Sequence, residues 1–208
     1  EMAKLTENSC RDVQIAFANE LSIICDQLDI NVWELICLAN RHPRINILQP
    51  GPGVGGHCIA VDPWFIVSRT PKISKLIYTA RMVNDAKPRW VVEKVKSAIF
   101  ELLQEKPDLS IRDITVACYG LAFKPDIGDL RESPSLAIVR ELAEVHRGRV
   151  IAVEPNIATL QNNELFELVD SNYASENADV IVVLVDHKEF KARPNMRAKK
   201  VIDTKGIW

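Results

Sequence analysis

The spacing of apolar residues divides the chain into two parts with different predicted secondary structure. Over residues 1–41, apolar positions recur every three or four residues, as on one face of a helix. The face predicted to be buried in the first helix comprises Val13, Ala16, Phe17, Glu20, Leu21 and Ile24. Asn31 fits the N-cap of a second helix that runs through Ala39. His42 precedes Pro43 and therefore ends the helical pattern, because the residue before a proline is driven from the α region.

A loop and a further helical stretch complete this first part. The segment 46–58 is rich in glycine and proline and predicts a loop. Helical spacing returns from Pro71 to about Gln104, and Pro88 should kink or divide that helix because it lacks a backbone N–H. The pattern therefore predicts an all-helical domain over residues 1–106.

From about residue 111 the pattern becomes that of strands alternating with helical segments. The apolar runs that predict strands are Ile114–Gly120, Arg149–Pro155, Asp179–Val185 and Lys200–Asp203. Ser135–Val145 is helical in pattern, and such alternation indicates right-handed crossovers in a doubly wound parallel sheet. Residues 107–208 are therefore predicted to form a Rossmann-like α/β domain, so that the fold class is α/β overall. Ligands of such sheets bind beyond the carboxyl ends of the strands, and those ends are Gly120–Lys124, Glu154-Pro155, Asp186-His187 and Asp203–Lys205.

Composition excludes several functional classes. The 208 residues are 47% hydrophobic and 26% charged, as in an ordinary globular protein, and no apolar run is long enough for a membrane span. The net charge of −2 argues against a nucleic-acid-binding surface. The five cysteines form no CxxC pair, which argues against a metal site or a disulfide framework and suits a reducing cytoplasm.

The segment richest in candidate chemistry is Gly51-Pro-Gly-Val-Gly-Gly-His-Cys58, with Asp62 four residues further on. Glycines let the backbone approach a ligand closely. Cys58 is the only cysteine predicted to lie in a loop, and its thiol is a candidate nucleophile. Asp62 is placed to orient water or accept a proton. The alternative is a tight structural loop that carries a cysteine by coincidence.

The same segment matches two nucleotide-binding strings without their context. Gly51, Gly53 and Gly56 satisfy G-x-G-x-x-G, but no strand precedes them and Pro52 removes one amide donor. A P-loop would have lysine and a hydroxyl residue where this chain has His57 and Cys58. We therefore predict that this loop binds neither a dinucleotide nor a triphosphate.

Three motifs in order resemble the UDP-glucose/GDP-mannose dehydrogenase family. They are Lys4-Leu-Thr-Glu-Asn8-Ser, Gly53-Val-Gly-Gly-His-Cys58-Ile-Ala-Val-Asp62 and Gly120-Leu-Ala-Phe-Lys124-Pro-Asp-Ile-Gly-Asp-Leu-Arg131-Glu-Ser-Pro. The resemblance covers essentially the whole chain, and residues 39–65 are closest to family members that act on UDP-N-acetyl-D-mannosamine. It implies an NAD-binding Rossmann domain before Glu1, so we expect this chain to be part of a longer protein and to hold no NAD site itself.

The resemblance implies a two-step oxidation of the C6 alcohol of a UDP-sugar to a carboxylate, with NAD as hydride acceptor. Cys58 would form the thiohemiacetal and thioester intermediates. Lys4 and Asn8, at i and i+4 on one helix face, would stabilise the developing oxyanion, and Asp62 would orient water or accept a proton. Read alone, Lys4 fits a solvated surface lysine and Asp62 fits a helix cap before Pro63.

The resemblance also implies which residues bind the substrate. They are Arg44, His42, Gly53, Gly55, Gly56, Phe123, Lys124, Arg131 and Lys205. In relatives, basic residues at the positions of His42 and Arg44 reach the diphosphate bound by the neighbouring subunit of a dimer. Arg131 has an alternative as part of a local salt-bridge cluster with Asp129, and His57 has two open roles, tuning the thiolate or contacting an N-acetyl group.

The implied partners are a UDP-sugar and a second copy of the chain, with neither nucleic acid nor membrane. Apolar faces within residues 10–40 and 73–103 would form the homodimer interface. The implied product is a uronic acid for surface polysaccharides such as enterobacterial common antigen. Two alternatives stay open, namely a catalytically silent UDP-sugar-binding and dimerisation module, and a UDP-N-acetylglucosamine or UDP-glucose 6-dehydrogenase.

Overall fold

The computed structural model describes residues 1–160 and 164–208, which form two compact units. Residues 1–87 make up the first, here called the helical unit, and residues 88–208 make up the second, the sheet unit. The division lies between Lys87 and Pro88, inside a long helix, whereas the change of periodicity places the domain boundary at residues 106 and 107. That domain boundary stays a prediction.

The helical unit contains three complete helices and the first part of a fourth. They are α1 (Met2–Gln27), α2 (Val32–Ala39), α3 (Asp62–Arg69) and α4 (Lys75–Glu105). The Asn31 side chain caps α2 by accepting the N–H groups of Trp33 and Glu34 at 2.9 and 3.2 Å, as predicted. Of the two predicted effects of Pro88, division of the helix is wrong, because α4 runs continuously through it, and a kink stays a prediction. Within the sheet unit the helix buries Val91, Val92 and Val95, and this packing offsets the hydrogen bond that proline removes.

The predicted buried face of α1 is also wrong in part. Phe17 and Ile24 are 54% and 44% exposed, and Glu20 is exposed as well. The side chains that α1 buries are mostly small or polar, namely Asn8, Ser9, Asp12, Ala16, Ala18, Asn19, Ser22 and Cys25. The periodicity of apolar residues cannot predict such a face. Its polar side chains can be buried only because they form hydrogen bonds with residues on other segments.

The sheet unit consists of a five-stranded parallel sheet with the strand order β3-β2-β1-β4-β5. Its elements are β1 (Thr115–Tyr119), α5 (Pro134–Val145), β2 (Arg149–Val153), β3 (Glu167–Leu168), α6 (Ser171–Asn177), β4 (Val180–Val183) and β5 (Lys200–Asp203). The four predicted strands and α5 are confirmed. The sequence did not predict β3, which has only two residues, or α6, which is short and mostly polar.

The three central strands of this sheet, β2, β1 and β4, are buried on both faces. Val116 and Cys118 of β1 join the cluster formed with α4 and α5, while Ala117 and Tyr119 join the cluster that contains residues of α6. This burial on two sides is why the strands read as continuous apolar runs. The α/β fold class, an all-helical part followed by a Rossmann-like parallel sheet, is confirmed. In the described ranges, none of the helices has the length and apolar character needed to cross a membrane.

Candidate functional site

The glycine loop connects α2 to α3 in the helical unit. Gly53 and Gly56 have φ angles of 149° and 86°, a region that side chains with a Cβ rarely adopt. Because α2 precedes the loop and α3 follows it, the G-x-G-x-x-G string lies between two helices and does not follow a strand. Its position does not fit a dinucleotide site, which needs the strand–loop–helix context.

Cys58 and Asp62 are brought together by a single turn. The carbonyl oxygen of Cys58 accepts the N–H groups of Val61 and Asp62 at 3.1 and 2.8 Å, and α3 begins at Asp62. Cys58 is exposed. The side chain of Asp62 does not cap the helix but accepts a hydrogen bond from Asn8 Nδ2 at 2.5 Å. The structure thus joins Asn8 of α1, which is 7% exposed, to the carboxylate that follows the cysteine.

Lys4 lies one turn before Asn8 on α1. Its ammonium group forms an ion pair with Glu7 at 3.3 Å, and both side chains are more than half exposed. An exposed pair of this kind contributes little to stability, so it does not fix the position of Lys4. The structure therefore places the Lys4 ammonium on the helix surface with Glu7, whereas Asn8 is bonded to Asp62.

The segment with His42 and Arg44 precedes the glycine loop. Both residues are exposed, and the backbone N–H of Arg44 donates to His42 Nδ1 at 3.3 Å. The segment is closed by Asn40, whose amide donates to the carbonyl of Ile47 at 3.0 Å and accepts its N–H at 2.7 Å. This role of Asn40 was not predicted, although asparagine at a helix end is a familiar turn signal.

The helical unit also holds a buried polar cluster that was not predicted, and it reaches the glycine loop through Asn19 and Gly51. Arg81 of α4 forms a hydrogen-bonded ion pair with Asp12 of α1 at 2.7 Å and a second one with Asp85. Burial raises the pKa of Asp12, while the Arg81 guanidinium and the Asn84 amide oppose that rise. Because a guanidinium stays charged at any accessible pH, it favours the ionised form of the carboxylate bonded to it.

In the sheet unit, the predicted ligand-binding edge is organised by Glu154, which follows β2. Its carboxylate accepts the N–H groups of Leu121 and Ala122 at 2.8 and 3.1 Å, and that of Asn156 at 3.0 Å. His187 Nε2 lies 3.1 Å from the same carboxylate. Burial by itself raises the pKa of Glu154, but the hydrogen bonds from His187 and from the backbone outweigh it, so that the pKa lies below its usual value.

The tautomer of His187 follows from its partners. The backbone N–H of Asp126 can only donate, and it donates to His187 Nδ1 at 2.9 Å. Nδ1 is therefore unprotonated, and Nε2 carries the hydrogen donated to Glu154.

Asp126, His187 and Glu189 offer ligand atoms within 4.8 Å of one another, but the Nδ1 lone pair of His187 already accepts a backbone hydrogen. Metal binding there would require that bond to break.

The loop after β1 is thus held at both ends, and it carries Phe123 and Lys124. Glu154 binds its first two amides and His187 binds the amide of Asp126. Lys124 is exposed, with its ammonium 5.6 Å from the centre of the Phe123 ring. A fixed loop with an exposed cation and an aromatic face suits recognition of an anionic nucleotide.

Arg131 and Lys205 occupy different surroundings at this edge. Arg131 is exposed and makes a bidentate contact with Asp129, including a 2.6 Å bond from Nη2, and this pair lowers the pKa of Asp129 to about 2. The local salt-bridge alternative for Arg131 is therefore present in the structure. Lys205 is 20% exposed, and its ammonium lies 3.1 Å from Asp186. Asp203 fixes the backbone of Lys205 by accepting its N–H at 2.8 Å.

Comparison with known proteins identifies the family. The model for the central domain of the UDP-glucose/GDP-mannose dehydrogenase family matches residues 1–86, and the model for its UDP-binding domain matches residues 117–208. The chain is 59% identical over 212 residues to the UDP-N-acetyl-D-mannosamine dehydrogenase of Yersinia pestis, covering 100% of this chain and 50% of that protein. It is 61% identical over 194 residues to the enzyme of the same name from Campylobacter jejuni, covering 91% and 46%.

A solved structure gives the same answer. The UDP-N-acetyl-mannosamine dehydrogenase of Staphylococcus aureus is 42% identical with a TM-score of 0.82, and the match covers 100% of this chain and 47% of that one. The chain spans about half the length of the curated relatives it matches. The family expected from the three motifs is thus confirmed, and the chain belongs to the UDP-glucose/GDP-mannose dehydrogenase family.

Proposed function

We propose that this chain is the catalytic-cysteine and UDP-sugar-binding portion of an NAD-dependent UDP-N-acetyl-D-mannosamine 6-dehydrogenase. The observation that carries the proposal is the hydrogen bond between Asn8 and Asp62, which joins two family motifs beside the exposed Cys58. The names of relatives at 59% and 61% identity support the choice of sugar.

NAD supplies the hydride acceptor for both oxidations when it is bound. The described residues do not fit its site, because the G-x-G-x-x-G string follows no strand. In the sheet unit, the acidic residue after β2 that a dinucleotide's ribose would need is Glu154, which is 5% exposed and bonded to the protein's own amides. The proposal therefore assigns NAD binding to a different domain of the polypeptide.

Cys58 carries the chemistry that belongs to this chain. Its thiolate adds to C6 of the aldehyde, a C–S bond forms, and the carbonyl oxygen takes a proton to give a thiohemiacetal. Oxidation of that carbon gives a thioester. Water then attacks the thioester carbonyl, the C–S bond breaks, and the carboxylate and the free thiol are released. Sulfur suits both steps because a thiolate is a good nucleophile and a good leaving group.

Asn8, Asp62 and Lys4 assist this chemistry. A side-chain amide carries two N–H groups, so Asn8 can hold Asp62 with one and donate to an oxyanion with the other. Asp62 accepts a proton from the water that attacks the thioester. Lys4 adds positive charge at the same oxyanion once its exposed pair with Glu7 opens.

The nucleotide is bound by the edge of the sheet unit. Lys124, Phe123 and Lys205 contact the uridine diphosphate, with Arg131 as a further phosphate contact when it leaves Asp129. The backbone of Gly53, Gly55 and Gly56 contacts the sugar in the helical unit. His42 and Arg44 are exposed, as residues must be that reach the diphosphate of a neighbouring subunit.

The proposal includes a homodimer formed through the central helices. Exposed apolar side chains in the helical unit support it, namely Phe17, Ile24, Leu38, Tyr78 and Met82, which are 39–57% exposed. Apolar area of this kind favours burial against a second copy. We expect sedimentation to give the mass of two chains, and Phe17→Asp to shift the protein toward the monomer. Sedimentation of the wild type as a monomer at all concentrations would contradict this part.

A second candidate is favoured by another relative. The NDP-N-acetyl-D-galactosaminuronic acid dehydrogenase of Ralstonia solanacearum is 53% identical over 211 residues. The N-acetylated sugar is shared by both names, whereas the stereochemistry differs. A location in the cytoplasm and use of the product in a surface polysaccharide such as enterobacterial common antigen stay predictions.

The test measures NADH formation and UDP binding separately. The polypeptide that contains this chain together with the family's NAD-binding domain is incubated with NAD and a panel of UDP-sugars, including UDP-glucose and both N-acetylhexosamine epimers. We expect NADH absorbance to rise most with UDP-N-acetyl-D-mannosamine, and two NADH to form per uronic acid. Preference for another sugar would replace the substrate assignment, and the absence of NADH with every sugar would refute the reaction.

Two variants test the residues. Cys58→Ser should abolish uronic acid formation, whereas Cys37→Ser, which changes an exposed thiol on α2, should not. In the chain alone, UDP should raise the melting temperature by ligand linkage, about 2.7 kcal/mol at 100 times Kd, without NAD reduction. Uronic acid formation at the wild-type rate by Cys58→Ser would refute the mechanism, and no thermal shift with UDP would refute the binding assignment.

A further inference from the structure

The polar face that α1 buries bonds both to the segment Gly51–Asp62 and to α4. Asn8, Asp12, Asn19 and Ser22 are all buried, and their spacing of four, seven and three residues places them along one side of the helix. Two of them, Asn19 and Asn8, bind the two ends of the segment that runs from Gly51 to Asp62. Asn8 and Asn19 are about 16 Å apart along the helix axis by the usual rise per residue.

The first of these contacts uses a backbone donor that has no substitute nearby. Pro50, Gly51 and Pro52 are buried, and the two prolines have no N–H. The N–H of Gly51 is therefore the single backbone donor of this tripeptide, and it donates to Asn19 Oδ1 at 2.9 Å. A buried N–H without a partner is costly, so the loop is held at this point by one hydrogen bond.

The orientation of the Asn19 amide in that bond is fixed by Asp12, to which Asn19 is connected through Asn84. The backbone carbonyl of Asp12 can only accept, so Asn84 must turn its Nδ2 toward Asp12, where it donates to that carbonyl at 3.1 Å and to the carboxylate at 2.8 Å. Asn84 Oδ1 consequently faces Asn19 and accepts its Nδ2 at 2.9 Å. The remaining Asn19 Oδ1 must then face Gly51, which needs an acceptor.

This amide chain, Asp12–Asn84–Asn19, has only one consistent orientation. If either asparagine amide were flipped, two acceptors or two donors would meet in a buried site. Arg81 fixes the position of Asp12, the first residue of this hydrogen-bonded series, through a 2.7 Å ion pair. A fixed acceptor is therefore presented to the loop before any substrate arrives.

We propose that Asn19 is a positioning residue for Cys58, holding the start of the glycine loop through Gly51 while Asn8 holds its end through Asp62. The proposal rests on the function proposed above and assigns its positioning to a residue outside the three family motifs. A loop fixed at both ends keeps the thiol at a constant distance from C6, and a displacement of about 1 Å is enough to cost about 10²-fold in rate.

The first experiment needs neither substrate nor NAD. Amide hydrogen exchange is measured for the peptide that contains Gly51, whose neighbours Pro50 and Pro52 contribute no amide signal. We expect Asn19→Ala and Asn84→Ala each to speed exchange at Gly51 about tenfold or more. Asn31→Ala is the matched control, since it removes an asparagine that bonds only to the start of α2, and it should leave Gly51 unchanged. Unchanged exchange in a folded Asn19→Ala protein would overturn the proposal.

The second experiment uses the complete dehydrogenase. Asn19→Ala should lower kcat about 10²-fold and raise KM for the UDP-sugar by a smaller factor, because the proposed uridine diphosphate contacts are on the sheet unit and only the proposed sugar contacts are on the loop. Asn31→Ala, compared at equal folded fraction, should keep the wild-type kcat. Faster exchange with an unchanged kcat would overturn the positioning role. A wild-type enzyme that oxidises no UDP-sugar would refute the proposed function and leave the exchange result standing. If Asn19→Ala does not fold, Asn19→Ser, which keeps a shorter acceptor, is measured by the same criteria.

Discussion

Replacing Glu154 by alanine should destabilise the sheet unit severely. The carboxylate accepts the N–H groups of Leu121 and Ala122, and both of these residues are fully buried. Alanine leaves these two donors, and the Nε2–H of His187, without an acceptor. Each buried donor left unpaired costs about 1–3 kcal/mol, so the loss of an acceptor for three donors should cost roughly 3–9 kcal/mol.

Urea unfolding measures this loss directly. A loss of roughly 3–9 kcal/mol is a large part of the 5–15 kcal/mol that stabilises a typical domain, so the urea midpoint should fall clearly at constant slope. The control is Glu167→Ala on β3, whose carboxylate is 64% exposed and pairs with Arg149 at the surface. It should change stability by less than about 1 kcal/mol. A Glu154→Ala protein within 1 kcal/mol of wild type, or equal to the control, would refute the reasoning.

The same carboxylate predicts a pH dependence. The pKa of Glu154 is lowered in the folded protein, because hydrogen bonds to its ionised form outweigh the opposing effect of burial. A group whose folded pKa is depressed contributes stability above its unfolded pKa, and the contribution is lost as pH falls through the folded value. The stability difference between wild type and Glu154→Gln should therefore narrow below about pH 4.5. A difference that is constant from neutral to acid pH would contradict the assignment.

Three further predictions concern single residues. Gly120 has φ 95°, and a Cβ there would lie 2.6 Å from Val185 Cγ2, so Gly120→Ala should lower the free energy of unfolding by more than about 1 kcal/mol in urea titration. Asn31→Ala should cost about 0.5–2 kcal/mol through loss of the α2 cap, measured in the same way, and no change would show that the cap is dispensable. Burial raises the pKa of Cys118 to about 12, so iodoacetamide should label Cys58 and leave Cys118 unlabelled until the protein is denatured.

Elements with a local signal could be predicted from the order of the amino acids. The apolar runs of β1, β2, β4 and β5 predicted a parallel sheet, because strands covered on both faces have no polar alternation. Asn31 predicted its cap, since an N-cap depends only on the next three residues. The short spacing from Cys58 to Asp62 is also local, and a single backbone turn connects the two residues.

Tertiary structure decided what depends on partners distant along the chain. Phe17 was predicted to be buried and is exposed, whereas Asp12 and Asn19 are buried, because their hydrogen-bonding partners lie on α4 and in the glycine loop. Glu154 stood only as a strand end in the sequence, and the fold makes it the acceptor for a loop more than thirty residues earlier. Hydrophobic spacing reports which side chains avoid water, but it carries no information on which polar groups find each other.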